Sequence, residues 1–243
     1  GKYQPRSEIL NFSDGSSVLL PLTIEKKKSG FRVHSSPAGT YGGWINNDNI
    51  TPKHGQLIFN YLQRSFEDII LRINPLNPIQ KNCSIGTKKS DFTHLINLSL
   101  DFNNITKNWS KGHISAAKKA QKHGLIIQIA KTIEAWEKYY SIYVKSIKRW
   151  GDSTSSKYDW IFFNSLFNQN SKNIKLFTAN LDNNMIAGGI FCYSPNHTVY
   201  WHGAALEEYF NYRPVHLIIY NSLKYSCEHN HDWFDFNPSG GHK

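Results

Sequence analysis

Residues 173–206 read NIKLFTANLDNNMIAGGIFCYSPNHTVYWHGAAL. Three runs rich in β-formers, NIKLFTANL, MIAGGIFCY and TVYWHGAAL, are separated by the short polar turns Asp182-Asn183-Asn184 and Ser194-Pro195-Asn196, so the stretch predicts a three-stranded antiparallel meander. What flanks it decides the class. Upstream, LIIQIAK reads as a strand, and Thr132 caps a long helix whose Ile133, Trp136, Tyr140, Tyr143, Val144 and Ile147 recur at spacings of three and four until Gly151 stops it. A polar loop, GDSTSSK, leads to a second helix around 160–167. Downstream, Pro214 opens another helix, VHLIIYNSLKYSCEH, and DWFDF is a final strand before PSGGHK. Strand, helix, helix, three antiparallel strands, helix, strand is neither a strict βαβ alternation nor an all-β run. It is an α+β layout with mixed, largely antiparallel sheets flanked by helices.

The front half follows a similar order. VLLPLTIE and FRVHSS read as strands, and Asp14-Gly15 supplies a turn. Thr51-Pro52 looks like a cap and first helical residue, with Leu57, Ile58, Tyr61 and Leu62 on one helix face, and DIILRI is a buried strand. After a loop with Pro75 and Pro78, THLINLSL is another strand, and 109–123 is a basic helix ending at Gly124. This half reads as a copy of the same order that lacks its front, which divides the chain into domains at 1–108 and 109–243. Between FRVHSS and Thr51 lies SSPAGTYGGW, 35–44, with three glycines in ten residues. No Lys-Ser or Lys-Thr pair follows, and Gly39, Gly42 and Gly43 are not spaced as G-x-G-x-x-G, so a phosphate cradle is disfavoured. A tight turn with positive φ stays open beside a ligand-lining role.

With 243 residues, 40% hydrophobic and 14% aromatic, the chain can bury real cores, and no apolar run approaches the roughly 18 residues that cross a bilayer. The start carries no basic-then-apolar leader, so a targeting segment is either absent or lies outside this sequence; the expected location is cytoplasmic, with peripheral membrane contact an open alternative. Cys83, Cys192 and Cys227 are widely spaced and odd in number, which fits reduced thiols. The Asn-x-Ser/Thr triplets at 97–99 and 104–106 are expected by chance in so Asn-rich a chain. A formal charge of +10, with lysines gathered at 26–28, 88–89, 118–122 and 145–149, draws anions: nucleic acid, phosphorylated small molecules or an acidic membrane face. The EHNHD run at 228–232 straddles a helix end, so its side chains diverge and no metal is expected.

The combination of SSPAGTYGGW, the basic WSKGHISAAKKAQKHGL, YWHGAALEEYFNYRP and FDFNPSGG, in that order, resembles the FemAB-like branch of the GNAT acetyltransferase superfamily, also described as carrying a BioF2-like acetyltransferase domain. The resemblance implies two tandem GNAT-like domains, the first on the acceptor side and the second on the donor side, that move an acyl or aminoacyl group onto an amine. Known members of the branch build peptidoglycan cross-bridges from aminoacyl-tRNA or are thought to modify surface saccharides. Relatives continue beyond the last glycines, so the chain is read as incomplete at the N-terminus of its first domain and truncated at its C-terminus.

The resemblance also implies site residues. TVYWHGAAL is the central strand whose splayed backbone receives the donor carbonyl, and the helix at Pro214 receives the donor's phosphates. EEYFNYR before that helix has no glycine, where coenzyme A-binding members carry a glycine-rich loop; this favours aminoacyl-tRNA over acyl-coenzyme A as donor co-substrate, with no permanently bound cofactor. Asn211, Arg213, Lys118 and Lys119 are the candidate donor-phosphate contacts, although Arg213 could equally pair with Glu207 or Glu208, and the lysines could form a solvated face. His202 is the candidate base for the amine or a core histidine. Asp235 is the candidate that orients the amine or a turn cap. Ser36, Gly39, Tyr41, Gly42, Gly43 and Trp44 in the front loop, with Trp201, Asn237, Ser239 and Gly240, are the candidate substrate contacts. The expected acceptor is a small molecule or a lipid- or nucleotide-linked saccharide, with tRNA a possible partner and DNA not one. A basic nucleic-acid-binding protein and an inactive remnant of the family are the alternatives.

Overall fold

The computed structural model describes residues 3–37, 39–46, 49–82, 86–87, 89–151 and 157–238. It resolves into two compact units, Gly1–Asp91 and Phe92–Lys243.

The first unit contains β1 (Tyr3–Pro5), β2 (Glu8–Asn11), β3 (Ser17–Leu20), β4 (Thr23–Lys26), β5 (Phe31–His34), α1 (Pro52–Ser65), β6 (Ile69–Ile70) and α2 (Pro78–Asn82). VLLPLTIE is two strands rather than one, because Pro21 has no amide to continue a ladder: β3 pairs back on β2, while β4 pairs with β1 and β5. β5 and β6 run parallel, with α1 as the crossover, giving a sheet ordered β1-β4-β5-β6. α1 starts where the sequence places it: Thr51 caps it, and His54 returns a bond to the Thr51 amide in a reciprocal box. Its face of Ile58, Phe59 and Leu62 is buried with Val18, Leu20, Leu22, Val33 and Trp44.

The second unit contains β7 (Leu95–Asn97), α3 (Phe102–Lys107), α4 (Lys111–Lys122), β8 (Ile126–Ile129), α5 (Ile133–Trp150), α6 (Trp160–Asn168), β9 (Ile174–Leu181), β10 (Asn184–Tyr193), β11 (His197–Ala205), a 3-10 turn at Glu207–Tyr212, α7 (Pro214–Glu228) and β12 (Trp233–Asp235). The meander forms as expected: β9, β10 and β11 are antiparallel neighbours. The six-stranded sheet runs β7-β12-β11-β10-β9-β8, with β12 parallel to β11. β7, assigned to the front half by its place in the chain, pairs with β12 and so belongs to this sheet. One face of the sheet is covered by α7 and α4, around Phe177, Phe191, Leu217, Leu223 and Phe234; the other by α5 and α6, around Trp136, Tyr139, Tyr143, Phe163 and Ile190. Each fully buried Leu, Ile or Phe in these layers contributes roughly 1.5–3 kcal/mol of transfer free energy.

The two units repeat one motif. An antiparallel pair (β4-β5; β10-β11) is followed by a helix (α1; α7) and a parallel strand (β6; β12).

Two glycines of the meander are there for packing. A Cβ on Gly188 would overlap the Tyr139 ring from α5, and one on Gly203 would overlap the Tyr200 hydroxyl. Gly112, on α4, faces open space. Gly188→Ala is therefore expected to destabilise the protein by about 1–3 kcal/mol, whereas Gly112→Ala should stabilise it by about 0.5–1 kcal/mol. Thermal denaturation of both variants checks this; equal effects would contradict the packing assignment.

Candidate active site

β11 holds β12 over only three residues, His197 to Val199 against Trp233 to Asp235. Beyond Val199 the parallel pair separates, and from Tyr200 to Ala205 β11 has no partner strand on that side among the described residues. On its other side β11 carries a bulge: Ile190 faces His202 and Phe191 faces Tyr200, which leaves Trp201 as the extra residue. The bulge changes which side chains share a face. Tyr200 stacks on Phe191 on the α7 side, while Trp201 and His202, though consecutive, both join the α5–α6 aromatic layer.

His202 is enclosed by rings. Tyr143 (centroids 4.6 Å), Trp201 (5.3 Å), Phe163 (5.6 Å) and Tyr158 (6.2 Å) surround it, and Tyr139 Oη lies 2.5 Å from its Nδ1. Burial drives its pKa down to about 4, so the ring is neutral at physiological pH. Tyr139, buried completely, is held well above the ordinary phenol range by the same loss of solvent. Sequence reasoning did not single out Tyr139, although its spacing of three from Trp136 and four from Tyr143 marks it as a position on the buried stripe of α5.

Asp235 is fully buried, and among the described residues its carboxylate meets Thr93, Asn237 and His197. Thr93 Oγ1 (2.5 Å) and the Asn237 amide (2.7 Å) donate to Oδ1, and His197 Nε2 lies 3.1 Å from Oδ2. The aspartate thus caps the turn after β12, where Asn237 takes φ +63°, and ties that turn to the start of β11 and to the segment before β7. Ser239 and Gly240 lie outside the described residues.

α7 begins at Pro214 with no side-chain cap, so the amides of its first turn are left for another acceptor. The preceding residue, Arg213, is exposed and in the left-handed region, φ 59° and ψ 41°. Among the described residues it makes no ion pair with Glu207 or Glu208; its charge instead helps to lower the pKa of His216, behind burial and His113. α4 packs antiparallel to α7: Trp109 on Tyr220, His113 on His216, His123 on Tyr212. The exposed Lys118, Lys119 and Lys122 sit on the part of α4 nearest the start of α7, so the structure gathers Arg213 and these lysines at one end of the helix pair. Asn211 is exposed in the 3-10 turn just before.

In the first unit, the glycine-rich loop is committed largely to packing. The Gly42 amide donates to the Arg72 carbonyl (2.7 Å), Ser35 Oγ accepts from the Arg72 amide (2.9 Å), and a side chain at Gly42 would overlap Ser35. Gly43 has φ +105° and lies against Gln80, which donates to the Trp44 carbonyl (3.3 Å). Trp44 is in the core, edge-on to Phe59. Ser36 and Thr40 bond across the turn, with Gly39 at φ +79° and open space around it, and Tyr41 is half-buried.

No thiol among the described residues is prepared as a nucleophile. Burial pushes Cys192 up to about 11 and also raises Cys227. Cys83 lies outside the described residues. The EHNHD side chains diverge: His229 stacks on Tyr225 and His231 packs on Tyr193.

The second unit is thus an α+β sheet whose parallel pair β11-β12 parts near a bulge and whose following helix, α7, starts without a side-chain cap. Residues 111–242 match the acetyltransferase (GNAT) domain family, and the chain belongs to that family. No curated protein sequence matches the chain. Among solved structures, FemX superposes with a TM-score of 0.71 at 12% identity, covering 99% of this chain and 81% of FemX. A conserved protein of unknown function from Bacteroides thetaiotaomicron gives 0.61 at 7% identity, over 98% of this chain and 78% of that one. The C-terminal domain of a putative lysylphosphatidylglycerol synthetase from Agrobacterium fabrum gives 0.60 at 6% identity, over 96% and 70%. The fold is therefore FemX-like along the whole chain.

Asp235→Ala would leave the buried His197 and the half-buried Thr93 hydroxyl and Asn237 amide without this acceptor and is expected to cost on the order of 3 kcal/mol. A urea titration checks this; a loss below about 1 kcal/mol would contradict the anchoring role.

Proposed function

We propose that the chain is an N-acyltransferase that moves an acyl or aminoacyl group onto an amine of a cell-wall or surface-saccharide precursor, by direct attack within a ternary complex. The observation that carries this is the parting of β11 from β12 at the Trp201 bulge, next to the uncapped start of α7. A carbonyl seated against the free edge of β11 meets backbone amides that need no reorganisation as negative charge develops on its oxygen. The α7 amides, Arg213 and the nearby lysines suit the phosphates of the donor. Proximity of a neutral amine to the seated carbonyl supplies the rest, since binding two reactants in line replaces a costly bimolecular encounter. The high thiol pKa values of Cys192 and Cys227 speak against an acyl-enzyme at either, which favours the direct route.

The donor is either acyl-coenzyme A or aminoacyl-tRNA, and the loop before α7 favours the second. Arg213 occupies a left-handed position that glycine fills most easily, so the chain spends backbone strain there to keep a cation at the helix start. A relative in fold named for an aminoacylated lipid is consistent with an aminoacyl donor and a lipid-linked acceptor. The first unit is the acceptor side, with Ser36, Gly39 and Tyr41 as contacts, and the second the donor side.

The test is thermal stability against acetyl-coenzyme A, charged tRNA and uncharged tRNA at two salt concentrations, in the wild type and in Arg213→Gly. Glycine relieves the left-handed strain, so the unliganded variant should stay within about 1 kcal/mol of wild type. A donor at 100 times its Kd should stabilise the wild type by about 2.7 kcal/mol, and Arg213→Gly should lose most of that. A shift that is equal for charged and uncharged tRNA, disappears with salt and ignores Arg213 would instead indicate a nucleic-acid-binding protein.

A further inference from the structure

We infer that His202 works as a neutral hydrogen-bond donor through Nε2–H, with its tautomer set by Tyr139, so that it stabilises the oxygen of the acyl carbonyl instead of removing a proton from the amine. The assignment of the carbonyl as its target rests on the acyl-transfer reading above; the tautomer does not.

The tautomer follows from counting donors and acceptors. The Tyr139 hydroxyl is completely buried, and its one hydrogen must find an acceptor inside the protein. Among the described residues the only group bonded to it is His202 Nδ1, at 2.5 Å. Were the ring proton on Nδ1, it would point at the phenol oxygen and leave the phenol hydrogen with no acceptor. Donation from Tyr139 Oη–H to an unprotonated Nδ1 satisfies both groups and leaves the single ring proton on Nε2. Nε2 has no partner among the described residues, and it is not one of the fully enclosed polar atoms. It is therefore the ring nitrogen left to meet a substrate.

Charge does not rescue the alternative. Among the described residues the titratable groups facing the ring are Tyr139 and Tyr143 from α5 and Tyr158 before α6, with Phe163 and Trp201 beside them. Among the described residues no carboxylate bonds or pairs with the ring, and burial is the cause of its lowered pKa. Gly188 is part of the device, because its missing side chain is what lets the Tyr139 ring sit against β10. A neutral imidazole used as an electrophile in this way keeps its proton throughout the reaction. As the amine attacks, the N–C bond forms and the carbonyl π pair moves onto oxygen, where Nε2–H donates to it. On collapse the bond to the donor's thiol sulfur or ribose oxygen breaks, and that leaving group takes the proton lost by the amine. Tyr139 acts through His202 and is a positioning residue.

The experiment is 15N NMR of the imidazole nitrogens in the full chain from pH 8 to pH 5, with no ligand added. His202→Gln assigns the resonances, and Tyr139→Phe, which keeps the ring and removes only the hydroxyl, assigns them independently. The expected result is one Nε2-protonated tautomer that stays neutral down to pH 5, and a mixture of tautomers in a Tyr139→Phe variant that still folds, with its thermal stability lowered by the lost buried hydrogen bond. An Nδ1-protonated ring, a ring that is charged by pH 6, or a tautomer that Tyr139→Phe leaves unchanged overturns the inference. None of these outcomes depends on acyl transfer, so absence of transfer with the expected tautomer would count against the proposed function alone.

Discussion

One extra residue in β11 organises the second unit. Without the bulge at Trp201, strict alternation would send His202 to the same face as Tyr200, toward α7. With it, Trp201 and His202 both enter the α5–α6 layer, and Tyr200 alone remains with α7. The same segment is where β11 and β12 stop pairing, so the strand is irregular on one edge and unpaired on the other over the same few residues. A regular sheet would have closed this gap with ladder hydrogen bonds, and no backbone would be left to meet a ligand.

Side-chain anchors stand at both ends of this segment. Asp235 fixes the end of β12 by bonds to Thr93, Asn237 and His197. At the far end of β11, Ser146 Oγ and Arg149 Nη1 from α5 both donate to the Ala205 carbonyl, and Arg149 also lies over Phe210 in the turn that leads to α7. Both ends of the open segment are thus tied to neighbouring elements. The arrangement costs local pairing, and the aromatic layer beneath offsets that cost by excluding water from a large area.

Much of this was legible in the sequence. The meander, its Asn-rich turns, the Thr132 and Thr51 caps and the proline at the start of α7 are local signals, and each element they announce is present. The short helices α2 and α3 were not read, because Asn-rich segments such as FNNITK have poor helix propensity and depend on a cap, here Asp101. The pairing of β7 with β12 was missed because it joins residues more than 130 positions apart, which no periodicity encodes. The glycines of SSPAGTYGGW invited a ligand-lining role, yet Gly42 and Gly43 sit against Ser35 and Gln80, a close approach that only the tertiary structure reveals. The bulge was invisible for the same reason: TVYWHGAAL alternates acceptably with or without it. With it went the partner of His202, for the ring's chemistry depends on a tyrosine 63 residues away.

On the proposed function, the donor binds at the open edge of β11 and the start of α7. The most direct measurement is an amide NMR titration of the deuterated chain with acetyl-coenzyme A and, separately, with an aminoacylated acceptor-stem RNA. At least one of them is expected to perturb the amides of residues 200–205 and 215–217 together, at a single shared affinity. Perturbations confined to the exposed lysines of α4, or no perturbation of β11 by either ligand, would contradict it.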